Sequence, residues 1–84
     1  MFADDIILID WNLFVNGKEN VLNTNKDIFS NVDTIKIKQL NSYSDTVCCE
    51  IIIIINNLEK IQVIDVITFN NQLKIEKIKA YKIW

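Results

Sequence analysis

Asp65 sits in the stretch VIDVITF at 63–69. Read with a strand's period of two, Ile61, Val63, Asp65, Ile67 and Phe69 point one way, and Gln62, Ile64, Val66 and Thr68 the other. The carboxylate therefore falls on the more apolar face. An ionised group there is costly unless it is paired, hydrogen-bonded or protonated, so either the face is wet or the acid is held for chemistry. Asp10 poses a milder version of the same problem, because it closes the run DDIILID and shares a strand face with Ile6 and Leu8. The chain has no histidine, so acid–base chemistry must fall to carboxylates, lysines or tyrosines. Lacking histidine and with its only cysteines adjacent at 48 and 49, the sequence excludes a zinc cluster and a His-based triad, and we expect neither metal nor cofactor.

Glu50, inside VCCEIIII, is the other ionisable anomaly. Pairing with a cross-strand lysine such as Lys36, Lys38 or Lys60 is the commoner explanation for a charge in a buried strand. Trp11, Phe14, Tyr81 and Trp84 have the size to line a ligand cavity, although aromatics at strand spacing more often build a core or an interface. Cys48 and Cys49 would point to opposite faces, which disfavours a mutual disulfide and suggests core thiols in a reducing compartment.

The elements that must position these groups come from one small domain of 84 residues. Half of the residues are hydrophobic, 24% are charged and only one is glycine, a composition far from that of a disordered chain. The nine basic residues are all lysines, scattered along a chain of net charge −2, so no basic stripe exists to hold phosphates and no nucleic-acid binding is expected. The longest apolar run, IIIII at 51–55, is too short to span a bilayer, and no basic-then-apolar leader opens the chain. A soluble cytoplasmic protein with no membrane association is expected.

Periodicity predicts a mostly buried strand over Asp5–Phe14, then a helix over Lys18–Ser30 in which Val21, Leu22, Asn25, Ile28 and Phe29 recur at helical spacing. Asn16 and Glu19 resemble a capping box at its start, and helix entry accounts for Gly17. Four strands follow, in VDTIKIKQLNSY, DTVCCEIIIIINN, EKIQVIDVITFNN and LKIEKIKAYKIW, with Asn56-Asn57 and Asn70-Asn71 expected to turn the chain through asparagine's tolerance of left-handed backbone. The predicted order is βαββββ, an α+β fold with a curved, largely antiparallel five-stranded sheet and one helix. One helix covers little of a sheet that is apolar on both sides, so a homodimer through the sheet is expected.

The strand FADDIILID at 2–10, the helix entry NGKEN and the closing IQVIDVITFNNQLKIEKIKAY at 61–81 together resemble the SnoaL-like and ketosteroid-isomerase-like members of the nuclear-transport-factor-2 (NTF2) superfamily, which have a cystatin-like fold. The resemblance covers nearly the whole chain as a single domain over 1–84, shortened at its N-terminus because the family's opening helices precede the first strand. It implies a curved sheet wrapped around a cone-shaped pocket for a small hydrophobic ligand. In the isomerases two aspartates face that pocket, a general base and a protonated acid in the oxyanion hole; the matching positions here are Asp10 and Asp65. The neutral acid is carried over to Asp65 by resemblance. The implied pocket lining is Trp11, Glu50, Val63, Ile67, Ile78 and Ala80, with Lys82 on the same side. The family's opening helices also carry the tyrosine that completes the isomerase oxyanion hole, and their absence would admit water and weaken stabilisation of an enolate. The expectation is therefore a non-catalytic ligand-binding or oligomerisation module, with proton transfer on a small hydrophobic carbonyl compound as the alternative.

Overall fold

The β-branched run after Met1 forms strand β1, Phe2–Ile9, and the chain then reverses into a short strand β2, Phe14–Asn16. Helix α1 spans Lys18–Phe29, followed by four long strands: β3, Val32–Tyr43; β4, Thr46–Ile55; β5, Glu59–Phe69; and β6, Ile75–Lys82. This computed structural model describes residues 1–30, 32–55 and 59–83. The expected turn at Asn56-Asn57 and the expected aromatic Trp84 lie outside the described residues.

The single strand anticipated over Asp5–Phe14 is two strands, because Asp10 turns the chain. Its Oδ1 accepts the backbone N–H groups of Asn12 at 2.7 Å and Leu13 at 2.9 Å, while its own N–H donates to the Leu13 carbonyl. An aspartate that binds backbone two and three residues ahead favours a turn over continued strand. Among the described residues the order is thus ββαββββ, with six strands in place of five. In the sheet they lie β2-β1-β6-β5-β4-β3. All neighbours are antiparallel except β1 and β6, whose parallel pairing sets Leu8 beside Ile78, so the sheet is mixed. Register shifts in β1/β6, in β3/β4 and at Thr68/Phe69 in β5/β6 break the ladders. Bulges of this kind bend strands, and the sheet is curved.

Helix entry departs from the capping box. Gly17 is the N-cap residue at φ +96°, no side chain caps the helix, and Asn20 Nδ2 donates back to the Asn16 carbonyl instead. Gly17 also donates to the Ile6 carbonyl at 2.8 Å, tying the helix start to β1 in a backbone conformation that a Cβ would strain. The turn after β5 departs too: Leu73, at φ +61°, takes the left-handed position, and Asn70 serves as acceptor, its Oδ1 receiving the N–H groups of Gln72 and Lys74.

Two apolar clusters hold the fold. Val21, fully buried, fixes α1 on Ile6 and Leu8 of β1. Full burial of an aliphatic side chain stabilises by roughly 1.5–3 kcal/mol, which sets the scale of the helix's attachment. Cys49, Ile51 and Val63 form the second cluster on the same face of β4 and β5, with Ile53, Ile61 and Ala80 packed against it. The helix reaches only one end of the sheet, so Ile35, Ile37, Leu40 and Tyr43 of the edge strand β3 stay exposed, Tyr43 by 85%. The isoleucine run of β4 is not an edge: β3 and β5 flank it. Among the described residues, no helix is long and apolar enough to cross a membrane.

Candidate functional site

Alternation along β4, β5 and β6 sorts side chains onto two faces, and cross-strand register brings Cys49, Asp65 and Ala80 into one row. Beside that row, Ile51 faces Val63 and Ile67 faces Ile78. The last turns of α1 overhang this face with Asn25, Ile28 and Phe29. Between helix and sheet lies a cavity of about 160 Å³. Its floor is Ile51, Ile53, Val63, Ile67, Ile78 and Ala80; β1 contributes Leu8, and the turn after β1 contributes Asp10 and Trp11. A cavity of about 150 Å³ lined by aliphatic residues accommodates benzene, so this one suits a ligand of comparable size.

Asp65 lies on the cavity wall, partly buried. Burial raises its carboxyl above the ordinary aspartate range, because losing water penalises the charged form. Among the described residues it accepts no hydrogen bond and forms no ion pair. Cys49, buried directly across from it, has its thiol raised by burial and, to a smaller degree, by the Asp65 charge. Asp10 also lines the cavity, but its Oδ1 is engaged by two backbone N–H groups of the turn. Lys82 Nζ stands 5.9 Å from the centroid of the Trp11 ring, within cation–π range.

Of the residues singled out from sequence, Asp10, Trp11, Val63, Asp65, Ile67, Ile78 and Ala80 meet at this cavity. Glu50 does not. It alternates with Cys49 and Ile51 and faces the opposite side of the sheet, beside Gln39, Asn41, Cys48 and Ile64 in a smaller depression of about 90 Å³. The physical reason is the pleat of β4, whose register with β5 is unbroken here; on that opposite face the register of β3 shifts between Ile37 and Gln39, and Lys38 Nζ approaches Glu50 Oε2 at 3.4 Å. The pairing lysine is thus Lys38. Tyr81 points away from the cavity in the row of Ile64, and Phe14 is 64% exposed on β2.

Sequence reasoning missed the wall supplied by α1. The signal was present, since Val21, Asn25, Ile28 and Phe29 share one helical face. Only the docking of Val21 on β1 decides that the far end of that face overhangs a cavity instead of packing against the sheet.

No family model matches the sequence, and no curated protein matches it. Solved structures do match. An NTF-2 like protein of unknown function from Burkholderia xenovorans superposes with a TM-score of 0.85 at 14% identity, over 96% of this chain and 63% of that one. A protein assigned to the SnoaL-like polyketide cyclases, from Jannaschia sp., gives 0.80 at 10% identity, over 98% and 67%. A protein with a ketosteroid isomerase-like fold from Catenulispora acidiphila, crystallised in complex with trimethylamine, gives 0.78 at 15% identity, over 95% and 68%. The chain spans about two thirds of the length of these proteins. Identities this low speak to architecture alone, and on that ground the fold is NTF2-like.

Proposed function

We propose that this domain is a non-catalytic binding module for a small, mostly apolar ligand, seated between α1 and the curved sheet with its one polar group against Asp65. The observation that carries this reading is a partly buried carboxyl that faces an apolar cavity without a hydrogen-bond partner among the described residues. Few well-placed polar groups in an apolar concavity are the usual make-up of a small-molecule site. Filling the cavity tests it. Ala80→Phe, on the cavity wall, should abolish the shift changes that a benzene-sized ligand induces at the Trp11 indole, while the far-ultraviolet circular dichroism stays native. Undiminished binding by that variant would sink the reading.

Two carboxylates on one cavity favour a second reading, proton transfer on a small hydrophobic carbonyl compound with Asp10 as base and Asp65 as hydrogen-bond donor. It ranks lower because one Asp10 oxygen already holds the turn, and the cavity lining includes no tyrosine to share a developing negative charge with Asp65. Turnover of a β,γ-unsaturated ketone that disappears in both Asp10→Asn and Asp65→Asn would promote it.

A homodimer belongs to the same proposal. Among the described residues β3 is a 12-residue strand at the edge of the sheet, next to β4 alone, with Ile35, Ile37 and Leu40 exposed. An edge of that length can pair antiparallel with its own copy about a two-fold axis, which makes a second copy of this chain the occupant that fits. Sedimentation should return a dimer, with a contact of at least about 1,000 Å². A monomer at high micromolar concentration would refute the pairing.

A further inference from the structure

The charged side chains lining the cavity are both acidic. Asp10 and Asp65 reach it, and among the described residues no lysine or arginine lines it. The other residues with polar groups are Asn25 and Trp11, and the half-exposed Trp11 and Phe29 are the aromatic residues of the lining. Aromatic faces carry negative electrostatic potential, so rings and carboxylates act in the same direction on whatever enters. The protein already places a cation beside one of these rings, the Lys82 ammonium 5.9 Å from the Trp11 ring centroid.

From these placements we infer that the cavity selects a small organic cation, a protonated alkyl- or arylalkylamine, whose ammonium N–H groups donate to the Asp65 carboxylate while its hydrocarbon part lies on Val63, Ile67 and Ile78. The inference rests on the binding reading given above and adds the charge of the ligand to it. A neutral carbonyl ligand would leave the carboxylates without a counter-charge in a poorly solvated place. An ammonium group supplies both the counter-charge and the missing hydrogen bond, and charge-assisted hydrogen bonds of this kind are about twice as strong as neutral ones. An anion would meet two like charges. Lys82 then competes with the ligand, since its ammonium holds one site on the Trp11 ring and repels a second cation nearby.

Three probes of nearly equal size and different charge separate the possibilities: benzylamine, benzyl alcohol and benzoate, titrated at neutral pH and low salt into the full chain and followed by backbone amide and Trp11 indole shifts. Benzylamine should bind at least ~10-fold more tightly than benzyl alcohol, with benzoate weakest. Asp65→Asn should erase the preference of benzylamine over the alcohol. Lys82→Met, at an exposed position, should tighten benzylamine by roughly 2–5-fold and leave the alcohol unchanged. Equal or tighter binding of the alcohol or of benzoate overturns the cationic assignment and leaves the cavity reading standing. Absence of binding by all three overturns both. Should Asp65→Asn lose its native spectrum, Lys82→Met alone decides: unchanged or weakened benzylamine affinity refutes the proposal.

Discussion

Cys49 and Asp65 stand directly opposite each other across β4 and β5, both on the face that lines the cavity. Burial raises both groups, and the Asp65 charge further disfavours the Cys49 thiolate. Neither has a compensating cation among the residues lining the cavity. The pair is a local cost that the fold retains, and such costs gather at sites that work on something.

The first consequence concerns pH. Burial raises the Asp65 carboxyl, so the native state keeps its proton to higher pH than the unfolded chain does. Its contribution to stability is fully present below the ordinary aspartate value and is lost as pH rises through the raised one. Asp65→Asn removes that loss. The variant should melt above the parent at pH 7, with the difference shrinking toward zero in acid. Thermal scans from pH 3 to 8 read this directly, and a difference that grows in acid would contradict it.

Thiol chemistry should separate the two cysteines. Cys48 is exposed and Cys49 is buried with a raised thiol, so iodoacetamide should alkylate Cys48 at least ~10-fold faster in the native protein. Peptide mass mapping over time distinguishes them. In Asp65→Asn the Cys49 rate should rise, because one of the two causes holding its thiolate back is gone.

Asp10 makes a structural prediction that a purely catalytic role would not. Its Oδ1 accepts from Asn12 and Leu13, so Asp10→Asn keeps an acceptor in place and Asp10→Ala does not. Alanine should cost roughly 0.5–2 kcal/mol in urea unfolding, in the range of other side-chain caps, and asparagine clearly less. Equal losses for the two would assign the effect to charge and not to the turn.

The attachment of helix to sheet rests on few side chains. Ile6 and Val21 are both fully buried in a fold with little other core, so Ile6→Ala should destabilise by ~2–5 kcal/mol. In a domain of this size that approaches the whole stability. Loss of far-ultraviolet helical signal at 37 °C would accompany it, and a shift below 1 kcal/mol, on the order of a surface change, would argue that α1 is held elsewhere.

On the opposite face, Lys38 and Glu50 form a half-exposed ion pair, 49% and 29% accessible at their side chains. Solvent screens such pairs, so a double-mutant cycle should give a coupling below ~1 kcal/mol. Glu50→Gln should leave ligand binding unaffected, since its carboxylate lies on the far side of the sheet from the cavity.

What the sequence determined by itself was the alternation. Period-two patterning in VIDVITF and in the closing strand placed Asp65 with Val63 and Ile67 on one face, and helical spacing placed Val21, Asn25 and Ile28 on another. Face assignments of this kind are local, because pleat and helical pitch act between near neighbours. Tertiary structure decided the relations between segments. The Asp10 turn split one expected strand into β1 and β2, since a side-chain acceptor outweighs a β-branched run at a single point. A bulge in β3 fixed Lys38 as the partner of Glu50, and alternation with Cys49 and Ile51 turned Glu50 away from the cavity. The parallel pairing of β1 with β6 brought Leu8 beside Ile78, and the cavity lies between that end of the sheet and α1. Registers, bulges and docking depend on residues far apart in the chain, so the aspartates could be sorted to faces from the sequence, while their meeting at one cavity was decided by the fold.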